Sequence, residues 1–317
     1  MLNALQSVIS VILMIGLGYL LARRGWFDAG AGNLISRLVV SIALPAYMIS
    51  NLMGGYDRTK LLSMAPGLPI PFLVMGLSYL IADGIARITG VRKDRRGAFM
   101  SMFALSNSVF IGLPVNLLLF GDASLPYALL YYIANTTTFW TLGVYGIAKD
   151  GALRKGTAKP SLISLSGLRR IFSPPLAGFF TAVILIMLGI RLPRPIMDSC
   201  RYLGNMTTPL SMLFIGIVIA RVDWKTLRFE RDFLLICAGR FILTPALMFG
   251  FVLRADFPQL MKQVFIMQSA MPAMTQNPIL AEAYGADSEY TAIGTSLTTV
   301  LSMATIPLYM TFVGWLF

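Results

Sequence analysis

Ser106-Asn107-Ser108-Val109-Phe110-Ile111-Gly112-Leu113-Pro114 sits inside an apolar run long enough to cross a bilayer. Proline removes a backbone donor and glycine loosens the turn, so nearby carbonyls and amides lose their intrahelical partners at a depth where no water replaces them. Broken backbone in a membrane persists only where it is buried in protein or lines a polar cavity. A second stretch of this kind, Ala270-Met271-Pro272-Ala273-Met274-Thr275-Gln276-Asn277-Pro278, follows 164 residues later when Pro114 is set against Pro278. Matched discontinuities in two halves of a membrane chain mark the substrate site of secondary transporters.

The surrounding chain fits that setting. Of 317 residues, 56% are hydrophobic and 13% charged, against about 45–50% apolar and about 25% charged in soluble domains. The expectation is an all-α integral membrane protein. Barrel strands are excluded, because they would be about 10 residues of alternating polarity. The formal charge of +12 does not point to nucleic acid, since the basic residues lie in connections between apolar runs. With two cysteines, Cys200 and Cys237, and no histidine, the chain offers no disulfide framework and no cysteine–histidine metal site. Arg23 and Arg24 follow the first apolar run rather than precede it, which suits a retained span better than a cleaved signal peptide.

Ten spans are expected, at about 3–22, 33–53, 61–83, 97–120, 124–148, 171–190, 199–220, 231–253, 261–282 and 289–316. Alternate connections differ in charge. One set holds Arg23, Arg24, Arg87, Arg92, Lys93, Arg95, Arg96, Lys149, Arg154, Lys155, Lys159, Arg169, Arg170, Arg221, Lys225, Arg228 and Arg231. The other holds only Arg58, Lys60, Arg191, Arg194, Arg201, Arg254 and Lys262. The positive-inside rule then places both termini outside the cytoplasm of an inner (plasma) membrane.

The polar stretch 149–170 divides the chain into a first five-helix repeat, 1–148, and a second, 171–317. An odd number of spans per half inverts the second relative to the first. The 164-residue offset supports the repeat, because it also sets Pro45 on Pro209 and Arg37 on Arg201. The competing account is that prolines are common in membrane helices in any case. The basic central loop reads as topogenic and lipid-facing.

Counting about 1.5 Å per residue from Gly97 puts Asn107 roughly 15 Å deep, near the centre of the hydrocarbon layer. If the two broken stretches cross there, Ser106, Asn107, Ser108, Thr275, Gln276 and Asn277 surround one small volume, framed by Gly112, Pro114 and Pro278. The N-terminal ends of half-helices add partial positive charge suited to an anion. The alternative for each hydroxyl is that it only re-satisfies the broken backbone. Asn107, Gln276 and Asn277 carry more donors and acceptors than one gap needs. Arg240 lies about 14 Å into its span, and its two readings are a fixed cation beside the site or a structural bond to carbonyls of the broken helices. Asn135, in the run Asn135-Thr136-Thr137-Thr138, together with Thr298 and Thr299, either lines the same region or makes ordinary interhelical hydrogen bonds.

None of the 14 acidic residues falls at mid-membrane; Asp83, Glu282 and Glu289 are at span ends and the others in loops. That lowers the weight of a cation or proton antiporter and raises that of an anion carrier. Glu282 has two readings, a coupling carboxylate near the second break or a solvated helix end. Asp83 and Arg87, one turn apart, are expected to pair at the interface. No GxxxxGKS, HExxH or GxSxG pattern is present, so the sequence offers neither a nucleotide site nor a hydrolase, and no cofactor is expected.

The run Asn107-Ser108-Val109-Phe110-Ile111-Gly112-Leu113-Pro114, followed by Phe120-Gly121-Asp122, closely resembles the fourth-span motif of the auxin efflux carrier family, which covers plant PIN-type carriers and bacterial malate and malonate permease-like proteins. Met271-Pro272-Ala273 with Ile279-Leu280-Ala281-Glu282-Ala283-Tyr284-Gly285 resembles its ninth-span motif, and Leu301-Ser302 with Ile306-Pro307-Leu308 its tenth. The resemblance implies ten transmembrane helices as two inverted five-helix repeats, with broken helices four and nine crossing, as in NhaA-like and bile-acid-symporter-like folds. It further implies elevator-type alternating access, a homodimer, and a small organic anion held near the crossover by Asn107 and Pro114. Candidate substrates are mono- or dicarboxylates such as malonate and malate, or auxin-like acids. The competing readings are a sodium-coupled symporter of bulkier acids resembling bile acid carriers and a ligand sensor that does not transport.

Overall fold

A computed structural model describes residues 2–28, 30–157, 174–221 and 230–316. The central basic stretch beyond residue 157, with Lys159, Arg169 and Arg170, lies outside the described residues, as do Lys225 and Arg228. In chain order the helices are α1 (Leu2–Arg23), α2 (Ala31–Leu38), α3 (Leu44–Gly55), α4 (Arg58–Met64), α5 (Pro69–Ile88), α6 (Arg96–Ala104), α7 (Leu113–Phe120), α8 (Leu125–Thr138), α9 (Val144–Lys155), α10 (Pro174–Met187), α11 (Arg194–Asn205), α12 (Thr207–Ala220), α13 (Arg231–Ala238), α14 (Thr244–Arg254), α15 (Gln259–Ser269), α16 (Gln276–Tyr284) and α17 (Ser288–Leu316). Wide π turns at Val39–Ala43, Ser108–Gly112, Phe139–Gly143 and Gly239–Leu243 each lead into the helix that follows. No strand occurs among the described residues, and a single antiparallel bridge joins Ser106 to Ala273.

Five helical stretches are long and apolar enough to cross a membrane: Leu34–Gly55, Arg58–Ile88, Arg194–Ala220, Arg231–Arg254 and Ser288–Leu316. The chain is thus an all-helical, multi-pass membrane protein. Several other expected spans are cut short by their own sequence. The run through Gly97 breaks at 105–107, and the one starting near Met261 breaks at 270–275. Pro69 and Pro195 stand at the first and second positions of α5 and α11, where a missing donor does no harm. Pro45 and Pro245 instead follow the π turns inside the stretches Leu34–Gly55 and Arg231–Arg254, and Pro307 lies inside α17.

The chain forms two compact units, and each takes segments from both halves of the sequence. The first comprises 1–66, 113–127 and 172–221. Here α1 crosses α12 at small residues: a Cβ on Gly216 would lie 2.2 Å from the Ile15 carbonyl oxygen, and one on Gly18 2.5 Å from that of Leu213. Such contacts bring backbones close enough for dispersion to bind helices when lipid supplies no hydrophobic drive. Tyr47 of α3 donates a hydrogen bond to Asp122 in the same unit.

The second unit comprises 67–112, 128–171 and 222–317, and it contains both breaks. Its core is built around α6, whose Phe99, Met102 and Phe103 are fully or almost fully buried. At one end of this unit the connections interlock. Asp287 accepts from Arg95 at 2.7 Å and Arg154 at 3.0 Å, and Arg231 Nη1 donates to the Thr89 carbonyl at 3.4 Å. Four connections, three of them basic, therefore share one end of the unit. The expected Asp83–Arg87 pair is present there at 2.8 Å.

Candidate functional site

The two breaks meet. The Asn107 N–H donates to the Pro272 carbonyl at 2.7 Å, beside the bridge between Ser106 and Ala273. Each interruption thus supplies part of the pairing that the other lost, as buried main-chain groups require.

Side chains complete that repair. Asn135 of α8 accepts from the Ser106 N–H at 3.1 Å and donates to the Ser106 carbonyl at 2.8 Å, and its Nδ2 also reaches the Ser108 hydroxyl at 3.1 Å. Its carboxamide stands in for a missing strand, so of its two readings the structural bond is the one seen. Thr298 of α17 plays the same part at the second break, accepting from the Ala273 N–H at 3.2 Å. Asn277 is fully buried, accepts from Ser101 at 2.7 Å and donates to the Met274 carbonyl at 2.9 Å. Its amide ties α16 to α6 and is occupied within the fold.

Main-chain donors where the helix resumes after the first break are also largely taken. Ser108 N–H donates to the Ser106 carbonyl, Phe110 N–H to Asn107 Oδ1 at 3.2 Å, and Gly112 N–H to the Asn107 carbonyl at 3.0 Å. Asn107 Oδ1 therefore serves as a helix cap. Unused polar capacity at the crossing belongs instead to side chains. Asn107 Nδ2, both polar atoms of the Gln268 carboxamide, and Arg240 Nε and Nη1 are buried and have no hydrogen-bond partner among the described residues.

Arg240 is fully buried in the π turn Gly239–Leu243 and donates from Nη2 to the Ser269 carbonyl at the end of α15. No carboxylate pairs with it among the described residues. The structural bond to a carbonyl of a broken helix is seen, and two nitrogens have no partner among the described residues. Tyr131 of α8 lies within electrostatic reach of the guanidinium, and its hydroxyl accepts from Ser106 at 3.3 Å. Gln268 lies against Gly112, where a Cβ would sit 2.1 Å from Gln268 Oε1. A larger residue there would displace the carboxamide from its present position.

Of the residues expected from sequence, Ser106, Asn107, Ser108, Gly112, Asn135 and Arg240 join in this network, all within the second unit. Thr275 and Gln276, half-buried, start α16, and Gln276 Oε1 has no partner among the described residues. Pro278 occupies the third position of α16, where no main-chain donor is needed. Pro114 is the second residue of α7, in the first unit. Glu282 is exposed near the end of α16. Gln268, Tyr131 and Ser269 were missed by sequence reasoning. A polar Gln268 two residues before the break was the available signal.

Comparison with known proteins finds membrane transporters. An uncharacterized transporter of Methanocaldococcus jannaschii is 25% identical over 98% of both chains. Another uncharacterized transporter, from Methanothermobacter thermautotrophicus, is 26% identical over 96% of both. A Rhizobium meliloti protein named "Putative malonate transporter" is 24% identical over 92% of this chain and 90% of its own. Residues 3–310 match the family described as membrane transport protein, and the chain belongs to that family, the auxin efflux carriers.

Proposed function

We propose that this protein is a secondary carrier of small organic anions, with mono- and dicarboxylates of malonate or malate size as its substrates. One observation carries the reading: Arg240 is a fully buried cation with two nitrogens unsatisfied and no carboxylate partner among the described residues. A buried charge without a partner is costly, and an anionic substrate supplies what is missing. In this mechanism a substrate carboxylate accepts from Arg240 Nε and Nη1, while Asn107 Nδ2 and Gln268 Nε2 orient the remaining oxygens.

Ten spans in two inverted repeats, both termini outside the inner membrane and a homodimer complete the proposal. The 164-residue offset, the charge asymmetry of the connections and the family support it. The second unit carries the crossing together with Asn107, Gln268 and Arg240, so in this reading it is the body that moves in an elevator-type cycle, exposing the site to each face in turn. The malonate named in the Rhizobium relative favours a dicarboxylate.

Uptake of radiolabelled malonate, malate and indole acetate into proteoliposomes, with and without a pH gradient, tests the reading. Saturable malonate or malate flux is expected, and absence of flux for every acid would overturn it.

A further inference from the structure

A second feature lies away from the crossing, at the end of the second unit where its basic connections gather. A cavity of about 450 Å³ opens between the ends of α5 and α9 and the start of α6. Arg87, Lys93, Arg96 and Lys149 supply its charge. Two carboxylates also face it, and both are engaged. Asp83 pairs with Arg87, while Asp150, buried on α9, accepts from the N–H groups of Gly97 at 3.0 Å and Ala98 at 2.8 Å, capping α6. Lys93 and Lys149 form no salt bridge among the described residues, and Arg96 uses its Nε on the Val91 carbonyl. Cations thus exceed the anions available to them, around a space large enough for a headgroup.

The remaining wall is apolar, formed by Met100, Leu142, Tyr145 and Leu153, with Leu142 37% and Leu153 44% exposed. On α5, Leu80 and Ile88 are 71% and 87% exposed. A cationic recess bordered by exposed aliphatic surface, at the end of a membrane helix, matches a ligand with an anionic head and hydrocarbon tails. A free phosphate would satisfy the first half of that description and leave the second unused.

We propose that this cavity binds the phosphodiester headgroup of an anionic phospholipid, with its acyl chains along Leu142 and Leu80, on the membrane side of Lys149 and Arg87. Basic pockets at the ends of membrane helices recognise such headgroups, each cation adding about a fivefold preference. The lipid joins α5 to α6 and α9 in the unit that contains the crossing.

Native mass spectrometry of the full-length protein, extracted from vesicles of mixed phosphatidylglycerol and phosphatidylcholine, tests the site. Wild type is expected to retain phosphatidylglycerol selectively. A Lys93→Gln/Lys149→Gln variant should lose at least about fivefold of that retention, while Lys93→Arg/Lys149→Arg and the remote Lys60→Gln keep it. Equal retention of the two lipids by wild type, or unchanged retention in the glutamine variant, overturns the proposal. Inorganic phosphate raising the thermal unfolding midpoint as much as phosphatidylglycerol does would overturn the lipid assignment in favour of a soluble anion.

Discussion

Asn135 grips the backbone of Ser106 from both sides, accepting from its N–H at 3.1 Å and donating to its carbonyl at 2.8 Å. The first helix break is therefore maintained by a side chain on a different helix. Asn135→Ala leaves the buried Ser106 N–H unpaired, costing about 1–3 kcal/mol, and leaves the Ser106 carbonyl with the Ser108 N–H alone. A fall in the thermal unfolding midpoint with reduced folded yield is expected. Asn135→Asp should recover less than half the loss, because a carboxylate accepts from the amide but cannot donate to the carbonyl.

Arg240→Met separates function from folding. Replacing an unpaired buried charge with an apolar side chain of similar length is expected to leave the unfolding midpoint equal or higher. Uptake of the transported acid should fall at least about tenfold. Proteoliposome flux and detergent thermal scans on the same preparation measure both, and wild-type flux in this variant would remove Arg240 from the site.

Asn107 does two jobs with two atoms, since Oδ1 caps the resumed helix and Nδ2 is open. Asn107→Asp keeps the cap and places a negative charge where the anion is proposed to sit. We expect a folded protein with uptake reduced at least about tenfold. Asn107→Ala should lose uptake and also about 0.5–2 kcal/mol of stability with the cap.

Gly97 meets Gly146 where α6 crosses α9, and a Cβ at Gly97 would lie 2.1 Å from the Gly146 carbonyl oxygen. The obstacle is backbone, so relief requires the helices to separate. Gly97→Ala should destabilise the protein by about 1–3 kcal/mol, read as a lower unfolding midpoint. Gly90→Ala probes a different cost, because its positive φ strains any Cβ while no atom obstructs it.

Asp287 gives the connections at one end of the second unit a pH dependence. Burial pushes its carboxyl up, but the Tyr290 N–H together with Arg95 and Arg154 outweighs burial and holds it below the ordinary carboxylate value. A carboxylate lowered on folding stabilises the fold above its unfolded pKa of about 3.9, and that stability is lost as pH falls through the lower folded value. The unfolding midpoint should therefore drop below about pH 4. Asp287→Asn should flatten this part of the profile and lower the midpoint at pH 7.

The sequence by itself determined the membrane class, the position of both breaks, the interfacial Asp83–Arg87 pair and the burial of Arg240. These follow from local composition: a proline or glycine in an apolar run, or a lone charge deep within one, constrains the backbone whatever surrounds it. Tertiary structure decided which carboxamides are free. Asn277 looked as available as Asn107, and Asn135 had two readings, yet Ser101 and Ser106, distant in the chain, occupy them. Gln268 was passed over because nothing within its own helix shows that it faces Gly112. It also decided that each compact unit draws on both halves of the sequence. Such assignments depend on which polar groups find partners across helices, and burial makes every one of those pairings costly to leave incomplete.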